Sequence, residues 1–305
     1  MTLQQLRAFL AIVEFGSFRR AARELGLSQA GLTNSLQALE AGLGVSLLQR
    51  SAQGVALTAD GKRLFARAQL IDREARRAMD EAQQASGAAG GTLHVGLGPT
   101  PTAVLLHLVV PDFHARFPTV KLTLVSGLYE QLRPALLQGL IELAVTAVPD
   151  EGPGPGLKSK VLFKSDLVVV GRPGHPHAQA RSLRELADCE WILLGPPGGP
   201  GGTITRFHAD QGLPAPRVAA TCESFTQLAA LISGTDWLAL LPAVMVERGL
   251  LGTQVVQLRL KERAHRFDNC VVYRTEPPLT PAAAVFAAMC ESCARIVARV
   301  APPAT

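Results

Sequence analysis

The fold of this chain is decided first by residues 3–50, LQQLRAFLAIVEFGSFRRAARELGLSQAGLTNSLQALEAGLGVSLLQR, and by residues 51–62, SAQGVALTADGK, which follow them. Apolar residues recur at helical spacing in two runs, Leu3-Leu6-Phe9-Leu10-Val13 and Phe18-Ala21-Ala22-Leu25, separated by Phe15-Gly16-Ser17. Gly26 is placed to end the second helix, and Ser28 is placed to cap the third. The stretch therefore predicts three short helices followed by a hairpin.

The second and third helices have the spacing of a helix-turn-helix unit that reads the major groove of DNA. On the third helix Leu32, Leu36 and Leu39 share the face predicted to pack inward, which leaves short polar side chains on the opposite face. Such side chains bind base edges and backbone, while nearby arginines neutralise phosphates. The predicted DNA-binding residues are Arg19, Arg20, Ser28, Gln29, Thr33, Asn34, Gln37 and Arg50. The alternative is a solvated polar face on a small helical domain.

As an ordered set, these motifs resemble the LysR-type bacterial transcriptional regulators, and the resemblance extends over the full length of the chain. The residues that carry it are Leu3 to Phe9, Gly16-Ser17-Phe18 through Ala21-Ala22, Leu27-Ser28-Gln29, Leu36 to Glu40, Gly44 to Leu48, Arg50, Leu57-Thr58 and Gly61. One departure is Ala30-Gly31, where the family often has Pro-Ala. The resemblance implies a winged helix-turn-helix DNA-binding domain over 1–58, a dimerisation linker helix with a hinge over 59–91, and an effector-binding domain over 92–305.

Residues from Ala59 to about Ser86 predict one long helix. Small and apolar side chains step along it by four and three alternately, as in the seam of a two-stranded coiled coil: Leu64, Ala68, Ile71, Ala75, Ala78 and Ala82. The alternative is a helix folded back on its own domain. The resemblance favours a helix that pairs two subunits, so we expect a homodimer, with a homotetramer as the larger assembly. The glycines and small residues of 86–91 predict a hinge.

From Thr92 onward, short apolar strands alternate with helices, which is typical of an α/β fold. The resemblance implies two lobes built like a periplasmic binding protein, with lobe I over about 92–163 and 268–301 and lobe II over about 164–267. The predicted fold class is thus multidomain: an all-α winged helix-turn-helix domain, a long linker helix and a two-lobed α/β effector domain.

In such a fold a ligand lies in the cleft between the lobes, where strand ends and helix starts converge. Hydroxyls and free amide hydrogens at helix starts suit an anion, so we expect a small polar or anionic effector. The predicted effector-binding residues are Thr100, Thr102, Ser126, Thr146, Gly201, Thr203, Ser224 and Phe225. Each serine or threonine could instead be an ordinary helix cap. Gly98 stands where relatives often carry a hydroxyl, which shifts the expected first-lobe contact to Thr100 or Thr102.

Three short segments resemble a branch of the family that includes regulators of aromatic sulfonate and sugar uptake genes. They are Gly199-Pro200-Gly201, Cys222-Glu223-Ser224-Phe225 and Leu213-Pro214-Ala215-Pro216. Residues 195–202 are rich in glycine and proline, but they lack the Lys-Ser/Thr ending of a phosphate-binding loop. We therefore expect a cleft loop there.

Composition bounds the remaining function classes. The net charge is only +5, so a DNA partner must be recognised through local charge. The longest apolar stretch, Ala103 to Pro111, is far shorter than the ~20 residues a membrane helix needs. The start of the chain lacks the pattern of a secretory leader, so the expected location is the cytoplasm, with no membrane partner.

Five cysteines and seven histidines suggest no metal site, cofactor or catalytic motif. The closest cysteine pair, Cys290 and Cys293, lacks the second pair that a zinc site would need, and a redox role is the alternative for it. We therefore expect a regulator, not an enzyme, that binds double-stranded promoter DNA and responds to the effector, with RNA polymerase as a candidate partner. The alternative is an architectural or redox-responsive DNA-binding regulator without a small-molecule effector.

Overall fold

Three helices open the chain, as the periodicity predicts. The computed structural model describes residues 1–51, 54–85, 90–196 and 200–300. Helix α1 spans Leu3–Phe15, α2 spans Phe18–Glu24 and α3 spans Gln29–Leu43. Gly16 has φ 62°, a left-handed conformation that glycine adopts without strain and that ends α1. The Ser28 hydroxyl accepts a hydrogen bond from the Gly31 amide at 3.0 Å and so caps α3.

A two-stranded hairpin follows and leads into the long helix. Strand β1, Leu48–Ser51, pairs antiparallel with β2, Gly54–Leu57. Glu40 of α3 holds the start of this hairpin, because its Oε1 accepts a hydrogen bond from the Leu47 amide at 2.6 Å. Helix α4 then runs over Ala59–Ala85, which confirms the long helix and gives it a length of ~40 Å. Ser86 lies outside the described residues.

Helix α4 begins as part of the N-terminal unit, which comprises Met1–Ala82. Ala68 is fully buried against the helix-turn-helix, and Leu64 and Phe65 pack on the same core. The predicted seam is therefore wrong at Ala68, because full burial inside one subunit removes this residue from a subunit interface, whereas Leu64 is only half-buried. Ile71, at 40% exposure, is the first large apolar residue of the seam that remains accessible.

The second unit, Gln83–Thr305, carries the predicted alternation of strands and helices. Its strands are β3 Thr92–Leu97, β4 Lys121–Ser126, β5 Leu143–Val148, β6 Leu157–Ser165, β7 Leu167–Gly171, β8 Glu190–Leu194, β9 Arg217–Cys222, β10 Ala239–Pro242, β11 Val256–Leu258 and β12 Phe267–Arg274. Its helices are α5 Pro99–Arg116, α6 Tyr129–Leu137, α7 Thr203–Asp210, α8 Phe225–Gly234, α9 Ala243–Glu247 and α10 Pro281–Val300. Strand β11 and helix α9 had no counterpart in the predicted pattern, since both are short.

Two groups of strands form two lobes. Lobe I contains one sheet in the order β4-β3-β5-β12-β6, in which β3 is parallel to β4 and β5, and β12 is antiparallel to β5 and β6. Lobe II contains the sheet β10-β7-β11 and the parallel pair β8-β9. An isolated β-bridge between Trp191 of β8 and Leu238, the residue that precedes β10, connects this pair to the sheet. The chain passes from lobe I to lobe II between β6 and β7 and returns before β12. The C-terminal end of β5 pairs with the start of β12, and residues of both lie beside lobe II.

Each lobe has its own apolar core. In lobe I, Phe113 of α5 and Phe286 of α10 meet edge to face at 5.3 Å and are both buried. In lobe II, Trp191 of β8 is fully buried and packs edge to face on His208 of α7 at 5.5 Å. Across the described ranges, no helix is both long enough and apolar enough to cross a membrane.

Candidate functional site

Helix α3 has one buried face and one exposed polar face. Leu32, Leu36 and Leu39 lie in the core, as predicted, at 0%, 5% and 1% exposure. The remaining face presents Gln29, Asn34 and Gln37 to solvent. Because amide side chains both donate and accept hydrogen bonds, this face can pair with the edges of bases.

The two hydroxyl residues of this surface also serve their own helix. Ser28 caps α3, and Thr33 is half-buried, with its hydroxyl donating to the Gln29 carbonyl at 2.9 Å. Both oxygens can still accept a hydrogen bond from a partner. The capping role was predicted for Ser28, while the local bond of Thr33 emerges from the structure.

Arginines surround α3 on neighbouring elements. Arg19 and Arg20 on α2 are exposed, and the Arg20 guanidinium lies 5.6 Å from the centre of the Phe15 ring. Arg23, also exposed, pairs with Glu24 at 3.5 Å. The Arg50 backbone lies in β1, and its side chain is outside the described part of the structure. Exposed guanidinium groups beside a polar helix face supply the sequence-independent attraction to phosphates.

The second unit contains a cavity of about 180 Å³ between lobe I and lobe II. Helix starts and strand ends from both lobes surround it, and most of its lining residues are apolar. The apolar lining includes Pro99, Pro101, Leu128, Tyr129, Val148, Leu167, Ile192, Leu194, Ile204, Phe225, Leu240 and Phe267. An apolar cavity with a few polar groups is the usual form of a small-molecule site.

Five of the eight predicted effector residues line this cavity: Thr100, Thr146, Gly201, Thr203 and Phe225. Thr100 and Thr146 are deeply buried, at 3% and 1% exposure. Gly201 is required sterically, because a Cβ there would lie 2.4 Å from the Gly195 carbonyl oxygen. The structure brings these residues together from four separate segments of the chain.

The other three predicted residues do not line the cavity. The Thr102 hydroxyl donates to the Gly98 carbonyl at 2.8 Å, within its own helix. The Ser224 hydroxyl accepts from the Gln227 amide at 3.2 Å, so it is an ordinary cap of α8. Ser126 ends β4 in an exposed position. For Thr102 and Ser224, the local hydrogen bond that any hydroxyl can make at a helix start explains the residue without a ligand.

The absence of a hydroxyl side chain at residue 98 has a steric cause. A Cβ on Gly98 would lie 2.5 Å from Thr146 Oγ1, so the Thr146 side chain occupies the space that a larger residue would need. Of the two residues toward which the first-lobe contact was expected to shift, Thr100 lines the cavity and Thr102 does not.

Several polar cavity residues were missed by sequence reasoning: Glu130, Asp150, Arg206, His265 and Asn269. They come from loops and element ends far apart in the chain, and none belongs to a local motif. Only the fold reveals that they share a cavity.

An ion pair joins the two lobes at this cavity. Asp150 Oδ2 lies 2.5 Å from Arg206 Nη1 and 3.6 Å from His265 Nε2. All three side chains are about half exposed, so solvent screens the attraction and the pair contributes little stability. Because of this ion pair, the Asp150 carboxylate already balances the positive charge of Arg206 at the cavity.

The cysteines are all free thiols. Burial raises the pKa of Cys270 to about 11 and that of Cys290 to about 12, with smaller contributions from Asp268 and from Cys293 respectively. Burial likewise raises the pKa of Cys189, Cys222 and Cys293. These thiols stay protonated at neutral pH, and the thiolate is the reactive form. A search of the described residues also finds no group of three His, Cys, Asp or Glu side chains that could hold a metal ion.

Family models match both units of the chain. The model described as "Bacterial regulatory helix-turn-helix protein, lysR family" matches residues 3–62, and the model described as "LysR substrate binding domain" matches residues 86–294. Together they cover the polar face of α3 and the whole lining of the cavity.

Individual relatives and solved structures agree with these matches. The "SDS degradation transcriptional activation protein" of Pseudomonas sp. (strain ATCC 19151) is 32% identical over 289 residues, which cover 92% of each chain. A "Probable hydrogen peroxide-inducible genes activator" of Mycobacterium leprae (strain TN) is 36% identical over 197 residues, 63% of this chain and 61% of that one. The structure of full-length CbnR complexed with its target DNA has a TM-score of 0.73 at 26% identity and covers 96% of this chain and 100% of that chain. The chain therefore belongs to the LysR family and is a DNA-binding transcriptional regulator with an effector-binding domain.

Proposed function

We propose that a small polar molecule binds in the cavity between the lobes and thereby changes how this regulator binds or activates its promoter. The observation that carries the proposal is the cavity itself, which is largely apolar and is lined by polar side chains from both lobes. A change in the spacing of the lobes would therefore change the contacts that a ligand makes with each lobe. A ligand can shift the balance between two lobe arrangements only if it binds one of them more tightly. Contacts to both lobes provide that difference.

We further propose how the N-terminal unit engages double-stranded DNA. Gln29, Asn34 and Gln37 are assigned to base edges, with Ser28 and Thr33 in supporting contacts. Arg19, Arg20 and Arg50 are assigned to phosphates. The exposed amide face of α3 supports the first assignment, and the solved complex of CbnR with its target DNA shows that a relative of the same fold binds DNA.

Two copies of the chain are needed to present two recognition helices to a two-fold operator. We propose that α4 pairs the subunits through the part of its seam that begins at Ile71 and continues through Ala75, Ala78 and Ala82. Ile71, Ala78 and Ala82 are exposed and Ala75 is half-buried, which supports this placement. We include in the same proposal the division of the chain into the domains 1–58, 59–91 and 92–305. The larger assembly that we propose is a homotetramer. Promoter DNA as partner implies the bacterial cytoplasm, and RNA polymerase stays a candidate partner.

The DNA assignment is tested by fluorescence anisotropy on the promoter region beside the gene and on a random duplex. Gln29→Ala should weaken binding to the promoter by ~1–3 kcal/mol and leave random DNA nearly unchanged. Gln4→Ala is the matched control, since Gln4 is an exposed glutamine of α1. Arg19→Ala should weaken both duplexes alike and reduce the salt slope by ~1. Equal losses on both duplexes for Gln29→Ala would contradict a base contact.

The effector assignment is tested by thermal shift and promoter binding against a metabolite panel. Thr203→Trp fills the cavity from the start of α7, whereas Thr205→Trp places the same side chain on the exposed surface of that helix. A compound that stabilises the protein by mass action should lose its effect in the first variant and keep it in the second. If no compound stabilises the protein, or if Thr203→Trp leaves the response intact, the cavity is not the effector site.

One observation favours a redox-responsive regulator as a second candidate: several relatives are named as probable hydrogen peroxide-inducible activators. The raised pKa values of the five thiols argue against it, because peroxide reacts with the thiolate. We expect promoter binding to be the same before and after peroxide treatment, and a Cys290→Ser, Cys293→Ser double variant to behave as the parent. A response to peroxide that this variant abolishes would establish the second candidate.

A further inference from the structure

Two buried acceptors at the cavity lack a donor. Asn269 is fully buried at 0% exposure, and its Nδ2 donates to Ser165 Oγ at 2.8 Å, but its Oδ1 has no hydrogen-bond partner within the described residues. Glu130 Oε2 is likewise shielded from solvent and has no partner there. Both residues line the cavity between the lobes. Folded proteins rarely leave such atoms unpaired, so each one needs an explanation.

Structural roles explain only part of these two side chains. The bond from Asn269 to Ser165 ties β12 to the end of β6, which accounts for the amide nitrogen but not for the oxygen. Glu130 lies in the first turn of α6, where a carboxylate is favoured by the helix dipole, but that role does not require its oxygen to be shielded from water. In both cases the atom without a donor is an acceptor. The missing partner is therefore a group that donates hydrogen bonds.

The charges around the cavity select against an anion. Three carboxylates line it, those of Glu130, Asp150 and Glu151, against one guanidinium, that of Arg206. Arg206 Nη1 and His265 Nε2 approach the same oxygen, Asp150 Oδ2, at 2.5 Å and 3.6 Å. An anionic ligand would meet further carboxylates, and the guanidinium that it could approach already forms an ion pair with Asp150.

The size and lining of the cavity limit the rest of the ligand. Its volume is about 180 Å³ and its walls are mostly apolar. An apolar cavity of ~150 Å³ is sufficient for a benzene molecule, so one ring or a branched chain of similar size fits here. Phe225 is among the lining side chains and can pack on such a body.

We infer that the effector is a compact amine: an apolar body of about one ring with a protonated amino group that donates hydrogen bonds to Glu130 and Asn269. This inference rests on the proposed function of the cavity and departs from the anionic effector that helix starts alone would favour. The amino group supplies donors to both unpaired acceptors and offsets the excess of carboxylates. The apolar body occupies the space between the lobes.

Three probes of the same shape test this assignment on the full-length protein at pH 7: benzylamine, benzyl alcohol and benzoate. Calorimetric titration should rank benzylamine first and benzoate last, with Kd values for these two differing by about tenfold or more, since hydrogen bonds to charged groups are the stronger class. Equal or tighter binding of benzoate, or binding of none of the three, would overturn the inference.

Variants then locate the contact. Glu130→Gln keeps the size of the side chain and removes its charge, so benzylamine should bind this variant about as weakly as benzyl alcohol binds the parent. Glu247→Gln, an exposed glutamate of α9 that does not line this cavity, should change nothing. Circular dichroism verifies that both variants fold, since the two tryptophans, Trp191 and Trp237, lie in lobe II and Glu130 lies in lobe I. If Glu130→Gln retains the full preference for the amine, the inference fails.

The Thr203→Trp variant shows whether the amine inference alone fails or whether the proposed function of the cavity fails with it. Binding of benzoate that Thr203→Trp abolishes would refute the amine and keep the cavity as the effector site. Binding of benzylamine that survives Thr203→Trp would place the amine elsewhere and refute the inference. A metabolite panel without any stabilising compound would refute the proposed function itself.

Discussion

Asp72 joins α4 to α1, and its replacement by asparagine is the sharpest test of how the N-terminal unit is built. Asp72 is 6% exposed on α4. Its Oδ1 accepts from Arg7 Nε of α1 at 2.6 Å, and its Oδ2 accepts from Arg76 Nε one turn further along α4 at 2.9 Å. Only the Arg7 contact joins two elements, so its loss should loosen α4 from α1.

The magnitude follows from these two contacts. Arg76 is 67% exposed and lies four residues away on the same helix, so its ion pair contributes ~0.3–0.5 kcal/mol. A hydrogen bond to a charged group contributes ~1.5–3 kcal/mol to stability. Because Arg7 is 36% exposed, solvent screens its interaction with Asp72, and we expect a contribution in the lower half of that range. Asparagine can keep one neutral hydrogen bond. We therefore expect Asp72→Asn to destabilise the N-terminal unit by ~2 kcal/mol.

The effect should depend on pH in a defined direction. Burial favours the protonated form of Asp72, but the hydrogen bonds from Arg7 and Arg76 outweigh it and hold the pKa of Asp72 below its ordinary value of 3.8. A carboxyl whose pKa is lowered by folding stabilises the protein fully above its unfolded pKa, ~3.9, and loses that contribution as the pH falls through the folded pKa. The difference between the parent and Asp72→Asn should thus be complete at pH 7 and shrink below about pH 4.

Hydrogen exchange of α1 and α4 peptides in increasing urea measures this stability. Trp191 and Trp237, the two tryptophans of the chain, both lie in lobe II, so tryptophan fluorescence monitors the second unit as an internal control. Asp60→Asn is the matched control, because Asp60 pairs with Arg63 on the exposed surface of α4 and should contribute less than ~1 kcal/mol. A loss below ~0.5 kcal/mol for Asp72→Asn, or one equal to the control, would refute the reasoning.

Three further predictions concern single positions. Gly61→Ala should destabilise the N-terminal unit by ~1–3 kcal/mol, since the new Cβ would lie 2.0 Å from a backbone oxygen. Gly42→Ala in α3 has open space at its Cβ and should stabilise the same unit by ~0.5–1 kcal/mol. The hydrogen-exchange experiment described above compares the two variants. Gly98→Ser should lower the stability of the second unit in urea titrations monitored by circular dichroism, because Thr146 Oγ1 lies 2.5 Å from the new Cβ. Burial lowers the pKa of His208 despite its backbone hydrogen bond, so the unfolded state binds a proton at this histidine more readily than the folded state does. Lobe II should therefore lose stability as the pH falls below ~6.5. His208→Gln should remove that loss in unfolding experiments monitored by fluorescence.

The helix-turn-helix could be predicted from sequence because its signals are local. The turn at Gly16, the cap at Ser28 and the buried face formed by Leu32, Leu36 and Leu39 are each defined by residues a few positions apart. A helix face repeats every three to four residues, so burial on one side follows directly from the periodicity. The strands of the second unit, except the short β11, were recognised because their apolar runs are also local.

Long-range packing decided the rest. The periodicity of α4 predicts a stripe, but only the fold shows that Ala68 is buried in its own subunit while Ile71 remains exposed. At the cavity, the hydroxyl pattern found Thr100 and Thr146, yet the unpaired acceptors of Glu130 and Asn269 had no signature in the chain.

The sequence by itself thus determined the longer helices and strands and the family, because these depend on spacing along the chain. The tertiary structure alone decided which polar atoms share the cavity between the lobes and which of them lack a partner. The physical reason is that hydrogen-bond satisfaction and desolvation depend on every group that approaches an atom, and those groups come from segments more than 100 residues apart, as Asn269 and Ser165 do.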